Sequence, residues 1–531
     1  MGFRLPILLG TCLAALVNYF TGRPLLAANL VLWLPVYFFL AGALYFCYRV
    51  FVYPLYVSPY RSLPSPPNPH WLLGNFYDYG RHYYEHAIMM AEKYPDRHFT
   101  RFNGLFGSDA LTLLSPEAHL MVLQTRVYGF PRPALSKAYK TIIGNGLVFA
   151  EGQEHRHQRK LLSPAFSYAH VKKFVPVFMS KTKKVMNQFD KIVETGPTVF
   201  EVFSYFSRLT LDAIGEAAFG VDLNSIEDEN SELVRTYDKI SNAGDQFFLF
   251  NMFAFLPGWK YVPTKYNNEI RHAHKVFSAT CKKVLKEKQN RLKSTGNVND
   301  KDGVSAIKDR DILSILLGNS DWSAEQVEHQ IMTFLFAGHE TTAGAVAWAL
   351  LTLAKHVDVQ AKLRAEVREA FPGGVDDIKA AEQIESLKYA NNVVRELMRV
   401  NPPVISTARE SSQDISIDGE TIYKGTMLNI SIKGLNYSKK LWGPDAYEFN
   451  PDRWDGRQAD NAYAYMTFLQ GTRACIGRRF AELEFKCILT SFVGRYLFEE
   501  SVENQPINRE FVVTVRPTDG LPLKVSKIDG W

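Results

Sequence analysis

The segment 468–477 carries the residue best suited to chemistry. Its sequence, Phe-Leu-Gln-Gly-Thr-Arg-Ala-Cys-Ile-Gly, places one thiol, Cys475, between two glycines. A helix-like run, Gly-Arg-Arg-Phe-Ala-Glu-Leu-Glu-Phe, follows directly, and the positive end of a helix dipole stabilises a thiolate. Glycine lets a flat ligand approach the backbone closely, so these features predict an axial ligand to haem iron. Considered alone, a free cysteine is more often an ordinary buried residue.

A second set of polar residues interrupts a long apolar helix. Ser323 and Gln326 fit a capping box, and about 30 helix-forming residues follow, which predicts a helix of roughly 45 Å through a large core. Within it, the segment 338–342 (Gly-His-Glu-Thr-Thr) weakens the hydrogen-bond ladder. We interpret Thr341 and Glu340 as a polar notch that passes protons to a bound ligand. The alternative is a bend whose threonine hydroxyls bond to the backbone.

Three further charged residues become informative only through their order along the chain. Glu396 and Arg399 stand three residues apart on a predicted helix, and Arg453 follows in the sequence Phe-Asn-Pro-Asp-Arg-Trp. Such a pair is common on helix surfaces and contributes little there. On its own it indicates no function.

These residues need a large framework, and the composition supplies one. Hydrophobic residues make up 46% of the 531 residues and aromatic residues 13%, so one large core is available. The five cysteines lack any CxxC spacing, which argues against a disulfide framework or a zinc site. Four arginines before the first acidic residue, Asp78, contribute much of the net charge of +6. The remainder is close to neutral, so we expect no nucleic-acid partner.

The N-terminus contains two uncharged runs. The longer, Pro24 to Tyr48, has 25 residues and can span a bilayer; the shorter, Leu5 to Gly22, is marginal. We therefore expect residues 1–60 to form a membrane anchor, either a helical hairpin or one spanning helix with a preceding interfacial segment. Arg49 and Arg61 follow the longer run and predict a cytosolic domain, whereas a cleaved signal peptide does not fit a run this long.

The anchor leads into a stiff segment and then into the main domain. Residues 61–70 contain prolines at positions 64, 66, 67 and 69, which predict an extended hinge that spaces the domain from the membrane. Residues 71–531 are mainly helical with a small β region. The tail from Phe511 to Val525 predicts a β-hairpin.

Taken together, these patterns resemble the cytochrome P450 family over nearly the whole chain. The family's cysteine loop, Phe-x-x-Gly-x-Arg-x-Cys-x-Gly, is matched within 468–477, and its central-helix pattern is matched within 337–342. Its Glu-x-x-Arg is matched at 396–399, and its later arginine at 453. The order and approximate spacing agree as well. The resemblance implies a single haem domain of mainly α structure with a long central helix, behind an N-terminal membrane anchor, as in microsomal fungal members.

One early motif departs from the family. Many members carry Trp-x-x-x-Arg facing a haem propionate, whereas this chain has His155 in the tryptophan position and Arg159 after it. An imidazole can still donate a hydrogen bond to a carboxylate. The resemblance therefore implies propionate contacts for both residues.

The resemblance also implies the remaining site roles. Cys475 would be the thiolate ligand of haem b, with Phe468 packed near its sulfur and Gly477 beside it. Arg473 and Arg409 would pair with propionates. Thr341 and Glu340 would be catalytic proton carriers. The structural ion-pair network is Glu396, Arg399 and Arg453.

The implied activity is monooxygenation of a hydrophobic small molecule, such as a terpenoid, fatty acid or polyketide-like compound of secondary metabolism. Electrons would come from an NADPH-cytochrome P450 reductase that docks near Arg473, Arg478, Arg479 and Lys486, at the endoplasmic reticulum membrane. A haem-thiolate isomerase or dehydratase that uses no dioxygen is one alternative. A non-enzymatic membrane protein whose long apolar helix is a span is another.

Overall fold

The computed structural model describes residues 27–67, 69–75, 79–133, 140–241, 253, 258–294, 311–318, 321–456, 461–504, 506–511 and 514–531. The shorter N-terminal run, Leu5 to Gly22, lies outside these residues. The choice between one and two membrane helices therefore stays a prediction.

The N-terminal part of the described chain is one long helical segment. An α-helix over Ala27–Cys47 continues as a π-helix over Tyr48–Val57. The stretch Val36–Val57 is the one helix among the described residues that is long and apolar enough to cross a membrane. Phe38, Phe39 and other large apolar side chains on it are exposed.

The end of this segment packs on the main domain. The hydroxyls of Tyr53 and Ser58 each lie 2.7 Å from a carboxylate oxygen of Asp109. The Tyr60 side chain is 3% exposed, and its hydroxyl lies 2.8 Å from that of Thr426. The carbonyl of Pro64 accepts a hydrogen bond from the backbone N–H of Arg101 at 2.9 Å. These contacts hold the end of the helical segment and the start of the proline-rich segment against the domain.

The described part of the main domain is mostly helical. Its longer helices are Tyr79–Lys93, Gly152–Leu162, Val175–Ile192, Phe203–Phe219, Glu232–Ser241, Lys265–Ser294, Ala324–Lys355, Val357–Ala370, Lys388–Val400 and Arg478–Arg495. Short α-helices are Pro116–Leu120, Lys140–Ile143, Tyr168–Val171, Ile312–Leu317, Ala381–Glu385, Ile432–Asn436 and Lys439–Trp442.

The central helix is Ala324–Lys355, and the sequence prediction of its start, length and burial is confirmed. The Ser323 hydroxyl and the Gln326 side chain form the predicted capping box. The helix is continuous through residues 338–342, so the predicted opening of its hydrogen-bond ladder is wrong. Gly338 instead permits close packing, since a Cβ there would lie 2.9 Å from Ile214 on the helix Phe203–Phe219. Most side chains along the central helix are buried in protein, which excludes its interpretation as a membrane span.

The strands are β1 Phe99–Asn103, β2 Asp109–Leu113, β3 Thr198–Glu201, β4 Ser406–Glu410, β5 Ile415–Ile417, β6 Glu420–Ile422, β7 Met427–Ser431, β8 Tyr496–Glu500, β9 Arg509–Phe511, β10 Val515–Pro517 and β11 Pro522–Lys527. The largest sheet has the order β1-β2-β7-β4, in which β2 and β7 are parallel.

The tail differs from the predicted single hairpin. Strands β9 and β10 form a short antiparallel hairpin. Strand β11 leaves it and pairs with β3 and β8. Local alternation of apolar residues indicated strands here but contained no information about partners so distant in the sequence.

Candidate active site

The cysteine loop is a tight turn held by its own backbone. The N–H of Cys475 donates to the carbonyl of Phe468 at 2.8 Å. Gly471 has φ +73°, and a Cβ there would lie 2.5 Å from the carbonyl oxygen of Leu123. Only glycine fits such a position without a shift of the neighbouring chain. The helix Arg478–Arg495 begins three residues after the thiol.

Cys475 is accessible, yet it is surrounded closely enough that desolvation raises the pKa of its thiol. The backbone N–H of Gly477 and the positive charges of Arg159 and Arg478 act in the opposite direction. The expected stabilisation of the thiolate by its surroundings is therefore outweighed by burial. A coordinated metal ion favours the thiolate strongly.

Four arginines and one histidine converge next to this loop. The Arg473 guanidinium donates to the carbonyl of Ala150 at 2.6 Å and forms an ion pair with Glu151. Arg159 donates to the carbonyl of Ala474 at 2.6 Å and so ties its helix to the cysteine loop. The other members of this cationic cluster are His155, Arg409 and Arg132.

The cationic cluster contains more positive than negative charge. Desolvation, followed by repulsion from Arg132 and Arg473, lowers the pKa of the Arg409 guanidinium well below its ordinary value. Desolvation, followed by repulsion from Arg473, also lowers the pKa of Arg132 to about 10 and that of His155 to about 3. Glu151 is the carboxylate that raises the pKa of Arg132 and Arg409. A cluster with this charge balance is suited to bind an anion.

Two nitrogen atoms of the cluster have open hydrogen-bonding capacity. Among the described residues, Arg409 Nη2 and Arg132 Nε are buried and have no hydrogen-bond partner. Sequence reasoning missed Arg132, although a cation between two prolines at 131 and 133 was a usable signal. Buried donors without partners indicate a ligand that supplies acceptors.

The polar residues in the middle of the central helix form hydrogen bonds with different partners. The Thr341 hydroxyl donates to the carbonyl of Ala337 at 2.9 Å, which is the backbone bonding considered as an alternative from sequence. Glu340 is 2% exposed and receives a hydrogen bond from the Thr514 hydroxyl at 2.7 Å. The two groups are adjacent in sequence, but within the described residues they bond to different partners and not to each other.

Glu396, Arg399 and Arg453 form one buried network. Arg399 donates to both carboxylate oxygens of Glu396 at 2.8 Å, and neither side chain is exposed. Arg453 Nε lies 2.9 Å from the same carboxylate. Arg399 also donates to the carbonyls of Asn436 and Ala446. The network therefore fixes the segments that precede the cysteine loop.

The four basic residues expected near a reductase differ in their exposure. The Arg473 side chain is 5% exposed and turned inward, so it does not contribute to a docking surface. Burial also lowers the pKa of Lys486. Arg478 is 43% exposed and pairs with Glu482 at 2.9 Å, while its guanidinium lies 5.3 Å from the centre of the Phe468 ring. Arg479 is exposed and Arg478 is partly exposed.

The sequence model of the family described as Cytochrome P450 matches residues 64–525. The chain belongs to the cytochrome P450 family. It is 34% identical over 511 residues to Cytochrome P450 monooxygenase sphH of Aspergillus fumigatus, covering 91% of each chain. It is 33% identical to Cytochrome P450 monooxygenase 128 of Postia placenta, covering 90% of this chain and 93% of that one. Cytochrome P450 monooxygenase FUM15 of Gibberella moniliformis is 30% identical, with 91% of each chain covered. The chain is accordingly a fungal-type member and an oxidoreductase.

The residues present fit the haem that the cytochrome P450 family implies. The accessible Cys475 sulfur supplies a soft ligand, and the cationic cluster supplies unpaired donors for two propionate groups. One cysteine beside a cationic cluster matches haem better than it matches a free metal ion, and no group of three potential metal ligands occurs among the described residues.

Replacing Arg409 by glutamine should weaken haem binding about 10- to 100-fold, from the roughly 1.5–3 kcal/mol of a charge-assisted hydrogen bond. Transfer of haem to apomyoglobin measures the change. Arg156→Gln is the matched control, because Arg156 is exposed and stacks on Tyr128 at 4.4 Å. Equal haem retention in both variants would exclude Arg409 from the anion site.

Glu484 on the helix Arg478–Arg495 was not predicted to be unusual. It is fully buried, and neither carboxyl oxygen has a hydrogen bond of ordinary geometry among the described residues. Burial raises its pKa well above the ordinary value, while the nearby Thr342 hydroxyl opposes the rise. Burial therefore favours the protonated form of this carboxyl group.

The raised pKa of Glu484 predicts that the free energy of unfolding decreases as pH rises. Above the unfolded pKa of about 4.3, the folded protein holds a proton that the unfolded chain has released, so stability falls by up to about 1.4 kcal/mol per pH unit until the folded pKa is reached. Glu484→Gln removes this slope. Urea unfolding between pH 5 and pH 7 should show that the stability of the variant increases relative to that of the wild type as pH rises. Glu482→Gln, on the same helix, should not reproduce the gain; a pH-independent difference for Glu484→Gln would contradict the assignment.

Proposed function

We propose that this protein is a membrane-anchored haem-thiolate monooxygenase that inserts one oxygen atom from dioxygen into a hydrophobic small molecule. The balanced reaction is RH + O2 + NADPH + H+ giving ROH + H2O + NADP+. The observation that carries the proposal is an accessible cysteine thiol beside a cluster of buried, incompletely paired arginines, in a chain of the cytochrome P450 family.

The protein's own residues would hold the haem and supply protons. Cys475 would ligate the iron. Phe468 and Gly477 would hold its sulfur close to the backbone and exclude water from it. Arg132, Arg159, His155, Arg409 and Arg473 bind the propionates. When bound, the haem supplies the iron at which dioxygen is activated.

Protons would pass through the middle of the central helix. Glu340 would hold a proton, and Thr341 would pass it on toward the bound ligand. The Thr341 hydroxyl must leave the Ala337 carbonyl to do so, which is a single side-chain rotation. Both residues therefore act on proton supply rather than on substrate binding.

Thr341→Ala should raise the hydrogen peroxide released per NADPH oxidised by about threefold or more, because protons then arrive too slowly at the reacting oxygen. The measurement uses the full-length protein with an NADPH-cytochrome P450 reductase. Thr352→Ala is a matched control, since Thr352 also bonds back to a carbonyl of the same helix, that of Trp348. A peroxide ratio equal to that of the wild type would remove Thr341 from the proton path.

The substrate class follows from the apolar side chains near the notch. Phe334 is buried on the central helix one turn before Gly338, and its ring lies 5.4 Å from that of Phe166. We infer a terpenoid, fatty acid or polyketide-like substrate of secondary metabolism. Substrate-binding difference spectra over such compounds test this inference.

The electron donor would be an NADPH-cytochrome P450 reductase at the endoplasmic reticulum membrane, with the catalytic domain in the cytosol. The apolar stretch Val36–Val57 supports the membrane location. Arg478 and Arg479 supply positive charge on the surface nearest the thiol, which suits an acidic partner.

A further inference from the structure

The C-terminal hairpin of strands β9 and β10 reaches the central helix at the residue proposed to carry protons. The hydroxyl of Thr514 donates to Glu340 Oε1 at 2.7 Å. Arg516 Nε lies 2.8 Å from the same oxygen. The side chains of Glu340 and Arg516 are 2% and 4% exposed, respectively. A buried carboxylate requires a counter-charge, and Arg516 provides it here.

Thr514 and Arg516 contact only one of the two carboxyl oxygens of Glu340. Both contacts converge on Oε1, whereas Oε2 is buried and has no hydrogen-bond partner among the described residues. The Nε–H of Arg516 does not point directly at the carboxylate, so the pair is electrostatic rather than a directed hydrogen bond. An ionised carboxylate ordinarily accepts on both oxygens, so Oε2 is free to serve a proton path.

The hairpin itself is fixed in place on both sides. The Trp348 Nε1–H donates to the carbonyl of Val515 at 2.9 Å, and the N–H of Val515 donates to the carbonyl of Pro403 at 2.8 Å. The Arg516 guanidinium also lies 5.0 Å from the centre of the Phe203 ring. A shift of the hairpin therefore moves the counter-charge of Glu340.

We propose that Arg516 and Thr514 are positioning residues for Glu340, which hold its carboxyl group by Oε1 and so make proton supply dependent on the docking of the C-terminal hairpin. This inference rests on the proposed function, because it deepens the proton path assigned to Glu340. Neither residue contacts the reacting atoms.

The test compares variants of the full-length protein with reductase, using lauric acid as the hydrophobic probe and measuring peroxide released per NADPH oxidised. Arg516→Gln should raise this ratio about threefold or more, and Arg516→Lys should restore most of the coupling. The double variant Arg516→Gln/Glu340→Gln should resemble Glu340→Gln alone, since residues that act through one group are not additive. Thr514→Val removes the directed bond without changing charge and should give a smaller rise.

Arg509→Gln is the control, because Arg509 lies on the same hairpin and contacts the central helix at Trp348, 4.6 Å from the ring centre, without touching Glu340. Its peroxide ratio should equal that of the wild type. An unchanged ratio in both Arg516→Gln and Thr514→Val, or additive effects in the double variant, would overturn the positioning role. Failure of the wild type to form a thiolate-ligated haem would instead overturn the proposed function.

Discussion

Replacing Cys475 by serine should abolish monooxygenation, with a loss of at least about 10³-fold, equivalent to about 4 kcal/mol of transition-state stabilisation. Serine keeps the size of the side chain but removes the soft, electron-donating ligand that sets the chemistry of the iron. The cationic cluster remains, so some haem should still bind. Two measurements on the purified variant check this: product formation with reductase, and the absorption spectrum of the reduced carbon monoxide complex.

Cys487→Ser is the matched control for this change. Cys487 is a fully buried thiol on the helix that follows the cysteine loop, and burial raises its pKa above the ordinary range. Its replacement should reduce stability slightly and leave the spectrum of the complex intact. If Cys475→Ser kept the wild-type spectrum while Cys487→Ser lost it, the assigned ligand would be wrong.

Replacing Glu396 by alanine should destabilise the fold by about 3–5 kcal/mol, because it leaves the buried charge of Arg399 without its partner. Glu396 also accepts hydrogen bonds from the backbone N–H of Asn450 at 3.0 Å and from Trp454 Nε1 at 3.0 Å. The replacement therefore leaves several buried hydrogen-bond donors without their acceptor. Urea unfolding followed by tryptophan fluorescence measures the effect, and Trp454 lies next to the change.

A surface ion pair from the same helix supplies the comparison. Lys388 Nζ lies 3.0 Å from Asp455, and the Lys388 side chain is 80% exposed. Lys388→Ala should cost no more than about 1 kcal/mol, since water screens such pairs. Similar losses for the two variants would show that burial does not determine the strength of the Glu396 network.

Local features of the fold were predictable from sequence. The central helix combined a capping box at Ser323 with a long apolar run, and both signals depend only on neighbouring residues. The cysteine loop was predictable for the same reason. The purpose of Gly338 was not, because close packing against Ile214 depends on a helix more than a hundred residues away.

Contacts between distant segments account for the rest. Arg132 and Arg409 meet beside the cysteine loop, and Arg516 meets Glu340, but no periodicity in the sequence connects these positions. The burial of Glu484 was equally hidden, since a glutamate on a predicted helix is ordinarily exposed. Buried charged residues that lack a partner, or that find one in a distant segment, are therefore the part of the site that could be identified only from the structure.

The central claim, haem ligation by the Cys475 thiolate, is tested most directly by reducing the purified full-length protein under carbon monoxide and recording its absorption spectrum. We expect the red-shifted Soret band of thiolate-ligated haem in the wild type. A haem complex that lacks this band in the natively folded wild-type protein would contradict the account.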